Sequence, residues 1–330
     1  MTMKDFKNVW IFAEAQRGKL SPTAFELLTA GRKLADELGE KLCAVLVGYR
    51  VEQFAKELFE RGADIVYICD DAALENYLDD VYAKVLADMV AAYKPNKFLL
   101  PATNLGRSLS AKTAVFVGTG LTADATEVLI NKEDGQLHAT RPTFGGNLMA
   151  TITCAHTRPE MCSLRPMSYE KAPLQVGRTG ETVHFAFDPA KHTTLAKFME
   201  FIKSRGDGLD LSEAEIIVAG GRGVGKAEGF ELLHKLADRL GGAVAASRAP
   251  VDSGWIDYRY QIGLTGRTVK PKLYIACGIS GQIQHMAGMS GSDVIVAVNK
   301  DPEAPIMKVA NYAIEGDLYD VVPAMLEALK

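Results

Sequence analysis

Two rhythms of apolar residues alternate along the first hundred positions. Short apolar runs, Val9–Ala13, Leu42–Val47, Ile65–Cys69 and Lys97–Leu100, have the length of buried strands. Between them apolar residues recur at helical spacing. Over Pro22–Leu38, Ala24, Leu27, Leu28, Leu34, Ala35 and Leu38 share one side of a helix, and Val51–Arg61 and Leu74–Tyr93 predict two more. A fourth helix starts near Leu105, just after Pro101. Strands alternating with helices imply right-handed crossovers and a parallel sheet, which is an α/β fold.

The rhythm changes at Gly120. Ala125–Ile130, Leu137–Pro142, Met149–Cys154 and Met161–Arg165 are short strand candidates, separated by Glu133-Asp134-Gly135 and Gly145-Gly146. They predict hairpins that add antiparallel strands to the N-terminal parallel sheet, and Val183–Phe187 is a further strand candidate. The polar, glycine-containing segment Lys203–Asp210 is the candidate domain boundary, separating residues 1–205 from 206–330. A second α/β unit then opens. Its strands are Ile216–Ala219, Ala243–Ala246, Leu273–Cys277, Val294–Val298 and Tyr312–Ile314. Helix Ala227–Leu240 is stopped by Gly241-Gly242, and Val321–Leu329 closes the unit, giving a Rossmann-like parallel sheet.

Composition narrows the class. The chain has 330 residues, 48% of them hydrophobic and 24% charged, which suits a globular protein of two domains. A net charge of −4 gives no reason to expect a nucleic-acid partner. No apolar run reaches the ~18 residues of a membrane span, so no membrane insertion is expected. The start, Met1–Val9, carries Lys4, Asp5 and Lys7 and lacks the apolar core of a signal peptide, so the expected location is cytoplasmic. Cys43, Cys69 and Cys277 lie in strand-like runs, where a free thiol acts as a small hydrophobe. Cys154, His156 and Cys162 have no fourth ligand at zinc-site spacing, so no metal is assigned.

The candidate chemistry gathers at predicted strand ends. Leu273–His285 reads as a strand, a turn over Gly278–Gly281, and a helix start from Gln282 that brings His285 one turn in. A helix start presents unpaired N–H groups that suit a phosphate, although a plain strand–turn–helix link has the same pattern. The run Gly220-Gly221-Arg222-Gly223-Val224-Gly225-Lys226 has Walker spacing, but Ala227 follows where a magnesium-binding hydroxyl belongs. The dinucleotide pattern fails too: its last glycine falls on Lys226 or Glu228. A glycine-rich turn beside a ligand and a purely structural turn both remain open there. In an open parallel sheet, ligands bind at the carboxyl ends of the strands. In the second unit those ends are Ala219–Gly225, Ser247-Arg248, Cys277–His285, Asn299-Lys300 and Glu315–Asp317. A long excursion, Ala249–Lys270, carries Gly263, Thr265 and Gly266 and is expected to be functional.

Ser247-Arg248, Val251–Gly254, Gln261–Gly266, Gly278–His285, Asn299–Asp301 and Glu315–Asp317, in this order, resemble the alpha subunit of electron transfer flavoprotein. The resemblance spans essentially the whole chain, more loosely in the first half. It implies an FAD-binding C-terminal domain, a heterodimer with a beta subunit contacted by the N-terminal domain, and electron carriage between flavin dehydrogenases, such as an acyl-CoA dehydrogenase, and an acceptor. It implies an electron carrier, not a substrate-transforming enzyme, with NADH oxidation in a bifurcating system only together with the beta subunit. By the same resemblance Arg248 lies against the flavin ring and Thr265 donates near flavin N5. His285 lies near N1 and the C2 carbonyl, where it serves as a cation or donor. Ser280 meets the pyrophosphate or ribityl chain, and Asn299 and Asp317 hold the adenosine side. Ser247, Gln261, Gly266, Gly281, Gln282 and Gln284 complete the expected cofactor-binding set. Leu264 and Gln282 depart from the family's commonest residues, Gln and Ala. The resemblance also makes Lys203–Asp210 the hinge on which the C-terminal domain swings. The competing function is a stand-alone dinucleotide-dependent oxidoreductase, which needs a general base; His138, His156, His184, His192 and His234 have no paired carboxylate at readable spacing.

Overall fold

Apolar strand runs and capped helices build two parallel sheets, seen in a computed structural model that describes residues 5–143, 148–200, 211 and 214–329. The expected boundary and hinge, Lys203–Asp210, lies outside the described residues. The chain divides into two compact units, Met1–Phe201 and Ile202–Lys330.

In the first unit, strands β1 (Val9–Phe12), β2 (Leu42–Gly48), β3 (Ile65–Asp70) and β4 (Lys97–Pro101) alternate with helices α1 (Pro22–Leu38), α2 (Ala55–Glu60) and α3 (Asp79–Tyr93). Helix α4 (Asn104–Val117) follows β4. Local chemistry sets the helix ends. Ser21 caps α1 by accepting from the Thr23 amide at 3.4 Å, Pro22 opens it, and Gly39 ends it in the left-handed region at φ 64°. Nearly all side chains of β1, β2 and β4 are buried, as expected of strands covered by helices on both faces.

Beyond α4 the chain adds β5 (Leu121–Ala125), β6 (Glu127–Ile130), β7 (Leu137–Thr143), β8 (Leu148–Ile152), β9 (Glu160–Leu164) and β10 (Glu181–His184). The seven-stranded sheet runs β10-β3-β2-β1-β4-β9-β5, and every pairing in it is parallel. The antiparallel strands are present, but β6, β7 and β8 form their own three-stranded sheet instead of extending the parallel one. The reason lies in β9, which is buried along its whole length and so belongs between two strands, not at an exposed hairpin edge.

An ion cluster ties the small sheet to the large one. Lys97 and Glu160 are 0% and 1% exposed and pair at 3.0 Å, with Arg158 2.8 Å from the same carboxylate oxygen. Lys97 also donates to the Gly135 carbonyl at 2.9 Å, and Glu160 accepts from the Leu137 amide at 2.5 Å, which fixes the turn before β7. Burial pulls the Lys97 ammonium below its ordinary pKa, and Glu160 opposes that pull.

The second unit contains β11 (Ile216–Gly220), α5 (Phe230–Leu240), β12 (Ala243–Ala246), α6 (Arg248–Asp252), β13 (Leu273–Cys277), α7 (Ile283–Met286), β14 (Val294–Asn299), α8 (Pro305–Val309), β15 (Tyr312–Glu315) and α9 (Leu318–Ala328). Its all-parallel sheet runs β12-β11-β13-β14-β15. The chain leaves β11 for β12 on one side and then crosses back to place β13 on the other. The strand order therefore reverses between β11 and β13, where an open α/β sheet leaves a crevice at its carboxyl edge.

Candidate functional site

A cavity of about 940 Å³ opens at that reversal point, at the upper end of the range for small-molecule sites. The loops after β11, β12, β13 and β14 all reach it. Of the expected residues, Ser247, Arg248, Gln261, Thr265, Ser280, Gln282, Gln284, His285 and Asn299 line the cavity together. Gly266, Gly281 and Asp317 stand outside its lining. Gly266 lies against the Gln261 carbonyl and Gly281 against Ile306, both supporting turns from behind. Asp317 caps α9 through the Tyr319 amide at 3.0 Å and pairs with Lys300 at 2.7 Å, so its carboxylate is engaged at the head of a helix.

Glycine makes the floor. After β11, the amides of Gly221 and Gly223 donate to the carbonyls of Cys277 and Gly278 at 2.9 and 3.0 Å. A side chain on Gly221 would begin 2.1 Å from the Gly278 oxygen, and one on Gly223 2.7 Å from the Gly278 Cα. The glycine-rich run is therefore a backbone-on-backbone crossing, and the amides of Gly221 and Gly223 are spent on that crossing instead of cradling a phosphate. The question left open by the sequence resolves toward structure, with Arg222 and Gly223 still reaching the cavity wall.

The turn after β13 has a different hydrogen-bond balance. Gly278 and Gly281 take φ of 61° and 80°, and the Ser280 carbonyl accepts from the Ile306 amide at 3.1 Å. The amides of Ile279, Ser280 and Gln282 have no acceptor among the described residues, and Gln282 caps α7 without a side-chain bond. Such free donors beside a crevice suit an anionic, multiply accepting ligand. Asn299 holds this turn from β14, donating to the Ile279 carbonyl at 2.9 Å and accepting from the Asp301 amide at 3.0 Å.

The long excursion forms the opposite wall. The Ile262 amide donates to the Ala246 carbonyl at 2.9 Å, continuing the edge of β12, and the Leu264 amide donates to the Gln284 carbonyl at 2.7 Å. Gly263, at φ 143°, permits that approach: a Cβ there would sit 2.8 Å from the Gln284 oxygen. Gln261 is buried, and its Nε2 donates to the Thr265 Oγ1 at 3.0 Å. The Thr265 hydroxyl thus accepts from Gln261 and keeps its own proton for a ligand. Arg248, the first residue of α6, is exposed and pairs with Asp252 at 3.1 Å.

His285 lines the cavity, but the expected cation is corrected. Its ring is 7% exposed, Nδ1 is 3.1 Å from the Ile262 carbonyl, and Nε2 is 3.0 Å from the Tyr274 hydroxyl. Burial pulls its pKa down from 6.5 to about 4, against the opposing bond to Ile262. The imidazole is neutral at pH 7, and both ring nitrogens are already bonded within the protein. Arg222 and Arg248 are then the cations of the wall, which Asp252 and Asp301 also line. Arg222, Asp252 and Asp301 were not among the expected binding residues. Asp252 stands one helical turn after Arg248, and Asp301 follows Asn299 at a strand end, so each carried a weak positional signal. Arg222 stands within the glycine run at the predicted strand end Ala219–Gly225, without a motif of its own.

Two family models match: the electron transfer flavoprotein domain over residues 9–190, and the electron transfer flavoprotein FAD-binding domain over residues 210–290. The chain is 49% identical over 328 residues to electron transfer flavoprotein subunit alpha of Thermoanaerobacterium thermosaccharolyticum, covering 99% of each chain. It is 46% identical over 332 residues to the subunit alpha of Megasphaera elsdenii, covering 100% of this chain and 98% of the relative. It is 41% identical to lactate dehydrogenase (NAD(+),ferredoxin) subunit LctC of Acetobacterium woodii, covering 98% of this chain and 77% of that one.

Proposed function

Since this chain belongs to the electron transfer flavoprotein alpha subunit family and its cofactor is FAD, we propose that the cavity at the β11/β13 reversal is the FAD site and that the chain works as the alpha half of a heterodimer with a beta subunit. The observation that carries this reading is the meeting of nine expected residues from separate loops around one crevice at a strand-order reversal. FAD supplies reversible uptake and release of electrons. The protein supplies shape, hydrogen bonds and exclusion of water. The free amides of Ile279, Ser280 and Gln282 and the guanidinium of Arg222 suit the pyrophosphate. The Thr265 hydroxyl, held by Gln261, orients the ring system. Arg248, paired with Asp252, would place positive charge beside the ring system, where reduction would add negative charge. No helix of the described residues is long and apolar enough to cross a membrane.

The electrons pass between a dehydrogenase, or a flavin held by the partner subunit, and an acceptor. The relative named as part of an NAD(+),ferredoxin-linked lactate dehydrogenase favours a second reading, that the heterodimer works in an NADH-dependent bifurcating system. The test is co-expression with a beta subunit, purification and extraction of flavin. One FAD per heterodimer without NADH oxidation supports the simple carrier. Two FAD with NADH oxidation supports the second reading, and a colourless heterodimer refutes both.

A further inference from the structure

His285 is fixed by a side chain that never reaches the cavity. Tyr274 lies in the middle of β13, fully buried, and its hydroxyl is 3.0 Å from the Nε2 of His285. On the other side of the ring, Nδ1 meets the carbonyl of Ile262 at 3.1 Å. A carbonyl only accepts, so Nδ1 carries a proton. Nε2 of the neutral ring then has a lone pair and no proton, and the tyrosine hydroxyl must be its donor. The chain of bonds continues outward, because the Ile262 amide donates to the Ala246 carbonyl, one residue before Ser247-Arg248. One buried hydroxyl thus connects the sheet interior to the loops after β12 and β13, two of those that reach the cavity.

We propose that Tyr274 is a positioning residue of the FAD site: by donating to Nε2 it holds His285 in the Nδ1-protonated tautomer and keeps both ring nitrogens bonded within the protein. The proposal rests on the FAD reading and refines it. His285 becomes a neutral wall of fixed orientation, and positive charge near the ring system comes from Arg248 instead. Without the hydroxyl, Nε2 loses its donor, the neutral ring loses the bond that favours it, and the imidazole is free to turn or take up a proton beside the flavin.

Tyr274→Phe removes one oxygen and keeps the ring, so the core stays filled. The heterodimer is prepared as wild type, Tyr274→Phe and His285→Gln, with 15N-labelled histidine. His285→Gln assigns the ring signals among the six histidines. The wild type should show one protonated and one unprotonated ring nitrogen at His285, with Nδ1 protonated. Tyr274→Phe should move the Nε2 signal and mix the tautomers. It should also weaken FAD binding about three- to tenfold, the worth of one net hydrogen bond, and shift the flavin midpoint potential in the direction of added positive charge. A flavin-bearing Tyr274→Phe complex with wild-type ring signals and potential overturns the assignment to Tyr274. A wild-type complex without flavin bands overturns the FAD reading beneath it.

Discussion

The two parallel sheets reverse strand order in similar ways and finish differently. In the first unit the reversal falls between β1 and β4, and it is narrower. Glu14, at the end of β1, is 8% exposed and accepts from the Thr103 hydroxyl at 2.5 Å, while Thr103 caps α4 through the Gly106 amide at 2.9 Å. Burial raises the Glu14 pKa, with the Thr103 bond opposing. Aromatic side chains, among them Tyr49, Phe54, Tyr77 and Tyr82, crowd the neighbouring loops, and the space there is about 480 Å³. In the second unit the corresponding point is crossed by glycine backbone, and about 940 Å³ stays open. The wider crevice therefore lies where the loops spend backbone, not side chains, on crossing the reversal point.

The buried polar groups differ in the same sense. The first unit buries a charged pair, Lys97 and Glu160, whereas the second buries a neutral pair, Tyr274 and His285. Removing one partner of a buried ion pair typically costs about 3–5 kcal/mol. Glu160→Ala should destabilise the first unit by that amount in urea unfolding and leave FAD binding in the second unit unchanged; equal loss of flavin would break the comparison. Gly281→Ala comes next. A Cβ there sits 2.3 Å from the Ile306 amide nitrogen at φ 80°, so the turn must shift, with an expected cost of about 3 kcal/mol and a large loss of bound FAD. Gly18→Ala is the matched control in the first unit. It has φ 71° and nothing within 4 Å, so it should cost only about 1–2 kcal/mol and spare flavin content.

Acid tests the neutral pair. The His285 pKa falls from 6.5 to about 4 on folding, so the unfolded chain takes a proton that the folded one refuses. The His285 contribution to stability is fully present above pH 6.5 and is lost as pH drops toward 4, about 3 kcal/mol in all. His285→Gln should flatten this slope in thermal unfolding followed between pH 7 and 5; an unchanged slope would place the acid sensitivity elsewhere. The smallest expected effect is Thr265→Val, which removes one hydroxyl at an exposed position and should weaken FAD binding about three- to tenfold by titration.

Local rules carried much of the fold. Helix α1 begins at Pro22 and ends at Leu38, the bounds predicted by its apolar stripe and caps. The central strands of both sheets announce themselves as apolar runs because burial on both faces needs them. The short strands after Gly120 were legible as strands but not in their pairing. Whether Glu160–Leu164 folds back on a hairpin or inserts beside β4 depends on partners far away in sequence. At the site, strand ends and the motif resemblance identified most of the cavity lining, and the FAD-binding family followed from the same motifs.

The sequence by itself determined the α/β class, the two parallel sheets, the family and which loops line the cavity, because each rests on local spacing or on the identity of residues. Only the tertiary structure decided that Gly221 and Gly223 serve a backbone crossing, that Asp317 caps a helix, and that His285 is neutral. Those outcomes depend on which group faces which across separate loops: Gly278 beneath Gly221, Lys300 beside Asp317, and Tyr274 behind His285. A histidine's charge is set by its burial and its two hydrogen-bond partners, and no spacing along the chain encodes either.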